Sequence, residues 1–212
     1  MVRIKICGIT RPQDAIAAAE AGADAIGLVF AESPRQVSMR LARRIVAELP
    51  PLVSVVGVFV NARAATVERA FGEVGLAEVQ LHGDEPPEYI ERLNGRRVIK
   101  ALRVRDRGFI EQARDFRAAG VCGILLDAFS AQARGGSGKR FDWDLVAAAR
   151  DSGLLETDVP LILAGGLTAE NVRAGIRRVR PWAVDVSSGV EDEPGIKSPE
   201  KIARFIAAVR SA

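Results

Sequence analysis

The chain has 212 residues, 48% hydrophobic and 27% charged, a globular balance that excludes a disordered polypeptide. Its net charge of +3, from 30 basic and 27 acidic residues, is too small and too evenly spread for a nucleic-acid binder, though it suits a small anionic ligand. No apolar run reaches the roughly 18 residues of a membrane span, the opening MVRIKICGIT lacks the apolar core of a secretory signal, and two cysteines outside any C-x-x-C pair fit a reducing compartment, so a cytoplasmic protein is expected.

The elements alternate from the first residues onward. A β-branched run predicts a strand over 2–6, and an Ala-rich helix follows over 12–20, with Gly22 after it as a stop. Strands over 25–29, 53–59 and 78–81 are followed by helices over 39–49, 64–71 and 87–93. A fifth strand over 98–102 leads to a helix over 109–118, closed by Gly120. A sixth over 123–126 leads to a helix over 143–150, with Asp142 as N-cap and Gly153 behind it. The seventh, 161–163, precedes a helix over 169–176 capped by Thr168. The eighth, 183–186, precedes a helix over 199–209, with Ser198 at the cap and Pro199 at the first position. Such alternation implies parallel strands with right-handed crossovers. Nothing resembling a linker divides the chain, so residues 1–212 read as one domain. Eight units of about 25 residues, with no G-x-G-x-x-G after the first strand, favour a closed (β/α)8 barrel over an open doubly wound sheet.

Strand parity then sorts the side chains. If Val2, Ile4 and Ile6 face the helices, Lys5 and Cys7 face the lumen. The same rule turns Glu78, Gln80 and His82 inward, with Leu125 and Asp127 on strand six and Asp185 and Ser187 on strand eight. Unpaired charge in a lumen is costly, so Lys5 or Lys100 is expected to pair with Glu78 or Asp185, as a structural cluster or as part of a site. Cys7, His82 and Asp127 each stand last on their strand, where barrel enzymes keep their chemistry.

The loops after strands seven and eight carry Gly165–Gly166 and Ser188–Gly189. Glycines there let backbone N–H groups close on an anion, and these two loops form the usual phosphate site of the fold. A tight turn would need the same glycines. Cys7 offers a thiolate base, or merely a small buried hydrophobe. Asp127 offers an acid, or merely a loop cap. Base and acid on strands one and six suit proton transfer to two atoms of one sugar. Arg35, after strand two, offers a fork of donors for a carboxylate, unless it is a solvated loop residue. The glycine-rich stretch 133–143 reads as a lid over the acid or as a plain loop. His82 is the only histidine, and no cluster has zinc-ligand spacing. There is no P-loop and no G-x-S-x-G.

The stretches KICGIT at 5–10, SPRQVS at 33–38, GVFVN at 57–61, QLHGDE at 80–85, LLDA at 125–128, GGSGKRFDW at 135–143, LAGGL at 163–167 and DVSSGVE at 185–191 span nearly the whole chain. On these stretches the chain resembles the phosphoribosylanthranilate isomerases, barrel enzymes of tryptophan biosynthesis. The resemblance implies an Amadori rearrangement of a phosphorylated small molecule, with no cofactor and no metal. It implies Asp127 as general acid and Cys7 as general base. It implies Arg35 on the anthranilate carboxylate, His82 among the substrate-binding residues, and Gly165, Gly166, Ser188 and Gly189 around the phosphate. A monomer or homodimer is expected, with no nucleic-acid or membrane partner. A sister isomerase or lyase of histidine or tryptophan synthesis would share the scaffold, but the histidine-pathway isomerase would place an aspartate where Cys7 stands. A non-catalytic sugar-phosphate sensor would keep the phosphate loops without needing both Cys7 and Asp127.

Overall fold

The computed structural model describes residues 1–128, 141–155 and 158–212. Eight parallel strands close on themselves in sequence order: β1 (Arg3–Cys7), β2 (Ala25–Val29), β3 (Ser54–Phe59), β4 (Glu78–Leu81), β5 (Val98–Val104), β6 (Gly123–Ala128), β7 (Leu161–Leu163) and β8 (Ala183–Val186). β8 returns to β1 with Lys5 opposite Asp185, which completes the ring. The helices are α1 (Pro12–Glu20), α2 (Met39–Ala47), α3 (Ala64–Val74), α4 (Gly108–Ala118), α5 (Trp143–Asp151), α6 (Val172–Val179) and α7 (Pro199–Arg210). None of them is long and apolar enough to cross a membrane.

Alternation along the strands splits the apolar residues into two cores. Ile4, Ile6, Val79, Leu81, Ile124, Leu126, Val184 and Val186 pack between sheet and helices. Val56, Ile99, Ala101, Leu125, Ile162 and Ala183 fill the lumen. The middle of the lumen is therefore apolar, and polar groups collect above it at the strand ends. The expected parity holds on strands one, four, six and eight.

Lys100 departs from the expectation of a lumenal charge. It shares parity with Val98 and Leu102, so it points outward and lies over the Phe116 ring of α4 at 5.1 Å. Its partners are Glu85, at 2.6 Å, and the Gly83 carbonyl, at 2.8 Å, rather than Glu78 or Asp185. Glu78 instead reaches Arg97 at the barrel floor. A buried ion pair of this kind typically costs about 3–5 kcal/mol when one partner is removed.

The helices show further differences: α2 stops at Ala47 rather than at residue 49, and α3 runs on to Val74 rather than ending at residue 71. Residues 87–93 form a 3-10 segment rather than an α-helix. α6 begins three residues later than predicted, because Asn171 folds back across the preceding loop. Its Oδ1 accepts from Thr168 N–H and its Nδ2 donates to the Gly166 carbonyl. Asn171, not Thr168, therefore occupies the cap position. Ser198 does precede α7, but its side chain accepts no cap hydrogen bond. Asp142 caps α5 as expected, accepting from Asp144 N–H. A short antiparallel hairpin, β9 (Glu191–Glu193) with β10 (Ile196–Lys197), follows β8 and was not predicted.

Candidate active site

A pocket of about 590 Å³ opens at the C-terminal ends of the strands. Its lining includes all eight residues singled out from sequence: Cys7, Arg35, His82, Asp127, Gly165, Gly166, Ser188 and Gly189. Val29, Phe30, Val58 and Val60 form an apolar wall on the β2–β3 side, with Phe30 stacked on Phe59 at 5.1 Å.

Cys7 ends β1 opposite Gly27 of β2. A Cβ on Gly27 would stand 2.6 Å from the thiol and 3.1 Å from Lys5 Cε, so glycine makes the room that both groups occupy. Lys5 sits below, donating to Asp185 Oδ1 and Gln80 Oε1 at 2.9 Å each. Burial pushes the Cys7 thiol pKa up, while Lys5 and, more weakly, Lys197 pull it back. Burial also opposes the charge on Lys5, but Asp185 and Cys7 outweigh it and hold its pKa above the ordinary lysine value. A permanent cation thus lies beside the thiol.

Across the mouth, Asp127 is 6% exposed. Its Oδ1 accepts from its own following amide, Ala128 N–H, at 2.8 Å, and its Oδ2 lies 3.0 Å from His82 Nε2. Gly165 backs it directly, since a Cβ there would meet Asp127 Oδ1 at 2.9 Å and Ala128 N at 2.5 Å. His82 in turn is placed by a network behind it. Glu85 accepts from Gly83 N–H, Asn61 N–H and Lys100, pinning the loop after β4 to the loop after β3.

Arg35 reaches the pocket rim, but one edge of its fork is already engaged. Nε and one Nη donate to the two oxygens of Glu191 at 2.8 and 2.6 Å. Lys197 donates to the same carboxylate at 2.7 Å and to the Ser187 carbonyl at 3.1 Å. Burial works against the Glu191 charge, yet Arg35 and Lys197 keep its pKa below the usual carboxylate value. Sequence reasoning missed Glu191 and Lys197. Both stand on the unpredicted hairpin; Glu191 closes the DVSSGVE stretch after the eighth strand, but nothing in the spacing assigns it a partner, and Lys197 lies beyond that stretch.

The glycine loops after β7 and β8 lie against each other. A Cβ on Gly189 would run into the Leu167 carbonyl oxygen. Among the described residues, the N–H groups of Gly166, Ser188 and Gly189 meet no protein acceptor. They offer a cluster of donors on the pocket wall, as an anion site requires. Residues 133–140 of the expected lid lie outside the described residues.

A model of the N-(5′-phosphoribosyl)anthranilate isomerase family matches residues 4–208. The chain belongs to this family. A family member from Pseudomonas putida is 53% identical over 212 residues, covering 100% of this chain and 98% of its own. One from Geobacter sulfurreducens is 51% identical over 207 residues, covering 97% of each. The crystal structure of the phosphoribosylanthranilate isomerase from Thermotoga maritima superposes with a TM-score of 0.90 at 44% identity, covering both chains fully. A further isomerase structure, in complex with reduced 1-(o-carboxyphenylamino)-1-deoxyribulose 5-phosphate, gives a TM-score of 0.86 at 43% identity, again over both whole chains. Membership in the isomerase family and the shared barrel agree with the readings made from sequence.

Proposed function

We propose that this isomerase converts N-(5′-phosphoribosyl)anthranilate to 1-(2-carboxyphenylamino)-1-deoxyribulose 5-phosphate, with Asp127 as acid and Cys7 as base. The observation that carries the residue roles is their joint placement in one pocket between an anion site and an apolar wall. The phosphate lies against Gly166, Ser188 and Gly189. The anthranilate ring lies along Val29, Phe30 and Val58, with its carboxylate on the free edge of Arg35. The sugar then spans the mouth between β1 and β6.

Asp127 donates its proton to the furanose ring oxygen. The C1′–O bond breaks as the anthranilate nitrogen lone pair forms C1′=N⁺. The Cys7 thiolate takes the C2′ proton, and the C–H pair forms C1′=C2′ while the nitrogen recovers its electrons. The enolamine loses its O2′ proton and gains one at C1′ to give the ketone. Every atom of the substrate is retained, and no electron acceptor is required. Incubation with the substrate tests the activity by loss of anthranilate fluorescence. Absence of turnover from mildly acidic to alkaline pH would favour a sugar-phosphate sensor. We place the reaction in the cytoplasm, in a monomer or homodimer; the two cysteines are free thiols.

Arg35→Ala is expected to lower kcat/KM by roughly 10–100-fold through KM, the worth of one charge-assisted hydrogen bond. Glu191 keeps Lys197 as a partner, so the fold should tolerate the change. Comparing substrates with and without the ring carboxylate decides the assignment: equal losses for both would refute it.

Gly189→Ala is expected to raise KM about tenfold, with kcat nearly unchanged, because the new methyl pushes the β8 loop off Leu167 and spreads the donor cluster. Competition by inorganic phosphate should weaken in parallel. A folded variant with unaltered KM and phosphate affinity would remove the anion from this site.

A further inference from the structure

Between the acid and the base runs a chain of hydrogen bonds that the reaction as written does not use. Lys5 Nζ donates to Gln80 Oε1 at 2.9 Å. Gln80 Nε2 lies 3.0 Å from His82 Nδ1, and His82 Nε2 lies 3.0 Å from Asp127 Oδ2. Gln80 is 1% exposed and Lys5 4%, so solvent does not compete for these bonds.

The direction of every bond is fixed from one end. A lysine ammonium has only donors, so the Gln80 atom facing it must be the amide oxygen. Lys5 is held charged by Asp185 and Cys7. The Gln80 NH2 group is therefore the one that faces His82. An amide nitrogen only donates, so Nδ1 must present a lone pair to it. The ring proton is left on Nε2, pointing at Asp127.

We infer that Gln80 is a positioning residue that locks His82 as its Nε2–H tautomer, so that the imidazole donates to Asp127 and takes no proton from it. The lone pair on which His82 would accept a proton is occupied by the Gln80 amide. The proton of the acid is thereby left to the face of the carboxyl that opens on the pocket. Once that proton passes to the ring oxygen, the new carboxylate meets a donor already in place, with no reorganisation. Lys5 supports both ends at once: it steadies the Cys7 thiolate and, through Gln80, orients the partner of the acid. This inference rests on Asp127 being the acid.

The chain contains a single histidine, so nitrogen NMR of uniformly labelled protein reports His82 without assignment. At mildly alkaline pH the wild-type ring should show one tautomer, with Nε2 protonated and Nδ1 bare. Gln80→Glu replaces the amide by a group that only accepts, so the ring should switch to Nδ1–H. Gln80→Met removes the constraint and should give a mixture. Both variants should lose roughly 10²-fold in kcat, the loss typical of a misdirected donor to developing charge, with KM changed less than about threefold. A wild-type ring protonated on Nδ1 would overturn the inference, and so would a switched tautomer with unchanged kcat. The wild-type spectrum needs no variant, so it decides the tautomer even if a substituted protein does not fold. The two ideas fail separately. Full kcat in the Gln80 variants beside an inactive Asp127→Asn removes the relay and keeps the acid. An active Asp127→Asn removes the acid itself.

Discussion

Cys7→Ala is expected to lower kcat by about 10²–10⁴-fold, the contribution typical of a general base, while the protein stays folded. The side chain is small and ends its strand beside a glycine, so its loss opens little volume. Lys5 keeps Asp185 and Gln80 as partners and is not left as an unpaired buried charge. The pH dependence separates a base from a packing residue. The active form is the thiolate, so wild-type kcat/KM should rise with pH through the Cys7 titration. Burial pushes that titration above the ordinary cysteine value, and Lys5 and Lys197 limit the rise. The Lys5 pKa is itself raised, so the neighbouring cation does not titrate away along this limb. The rising limb should vanish from the residual activity of Cys7→Ala. A variant that keeps full activity, or keeps the limb, removes Cys7 from the mechanism.

Much of this site follows from a single rule, the alternation of side chains along a strand. It carried Cys7, His82 and Asp127 into the lumen at the strand ends, where the pocket has them. The glycines of the last two loops could be placed for a similar reason, since a side chain at Gly189 has nowhere to go. Lys100 shows how the rule is misapplied. A charged residue in mid-strand suggests a polar lumen, yet it sits in phase with Val98 and Leu102 and belongs to the outer face. Its long stem simply carries the ammonium up to Glu85 and the Gly83 carbonyl. The Arg35–Glu191 pair was not legible at all. Its members are 156 residues apart, and the hairpin that presents Glu191 has strands of three and two residues with no apolar alternation. Gln80 was turned the right way by parity, but its meaning depends on which neighbour is a pure donor. That is a property of contacts across strands, not of spacing along the chain.

Asp127→Asn should likewise reduce kcat by about 10²–10⁴-fold, since an amide cannot protonate the ring oxygen. The substitution is not neutral for its surroundings. The carboxylate accepts on both oxygens, from Ala128 N–H and, on the tautomer argued above, from His82 Nε2–H. Asparagine offers one oxygen and one NH2, so whichever way it turns, one donor faces another. The cost should be about 1–3 kcal/mol of stability, read as a lowered midpoint of thermal unfolding, with the barrel still formed. Binding separates this local cost from the chemistry. The reduced 1-(o-carboxyphenylamino)-1-deoxyribulose 5-phosphate held by a related isomerase cannot be turned over and needs no protonated ring oxygen. Its affinity for Asp127→Asn should stay within about tenfold of wild type, a limit of roughly 1.4 kcal/mol. Turnover lost with binding kept places Asp127 at the reacting bond. Turnover and binding lost together would make it a structural residue of the β6 loop, and turnover kept would move the acid elsewhere in the pocket.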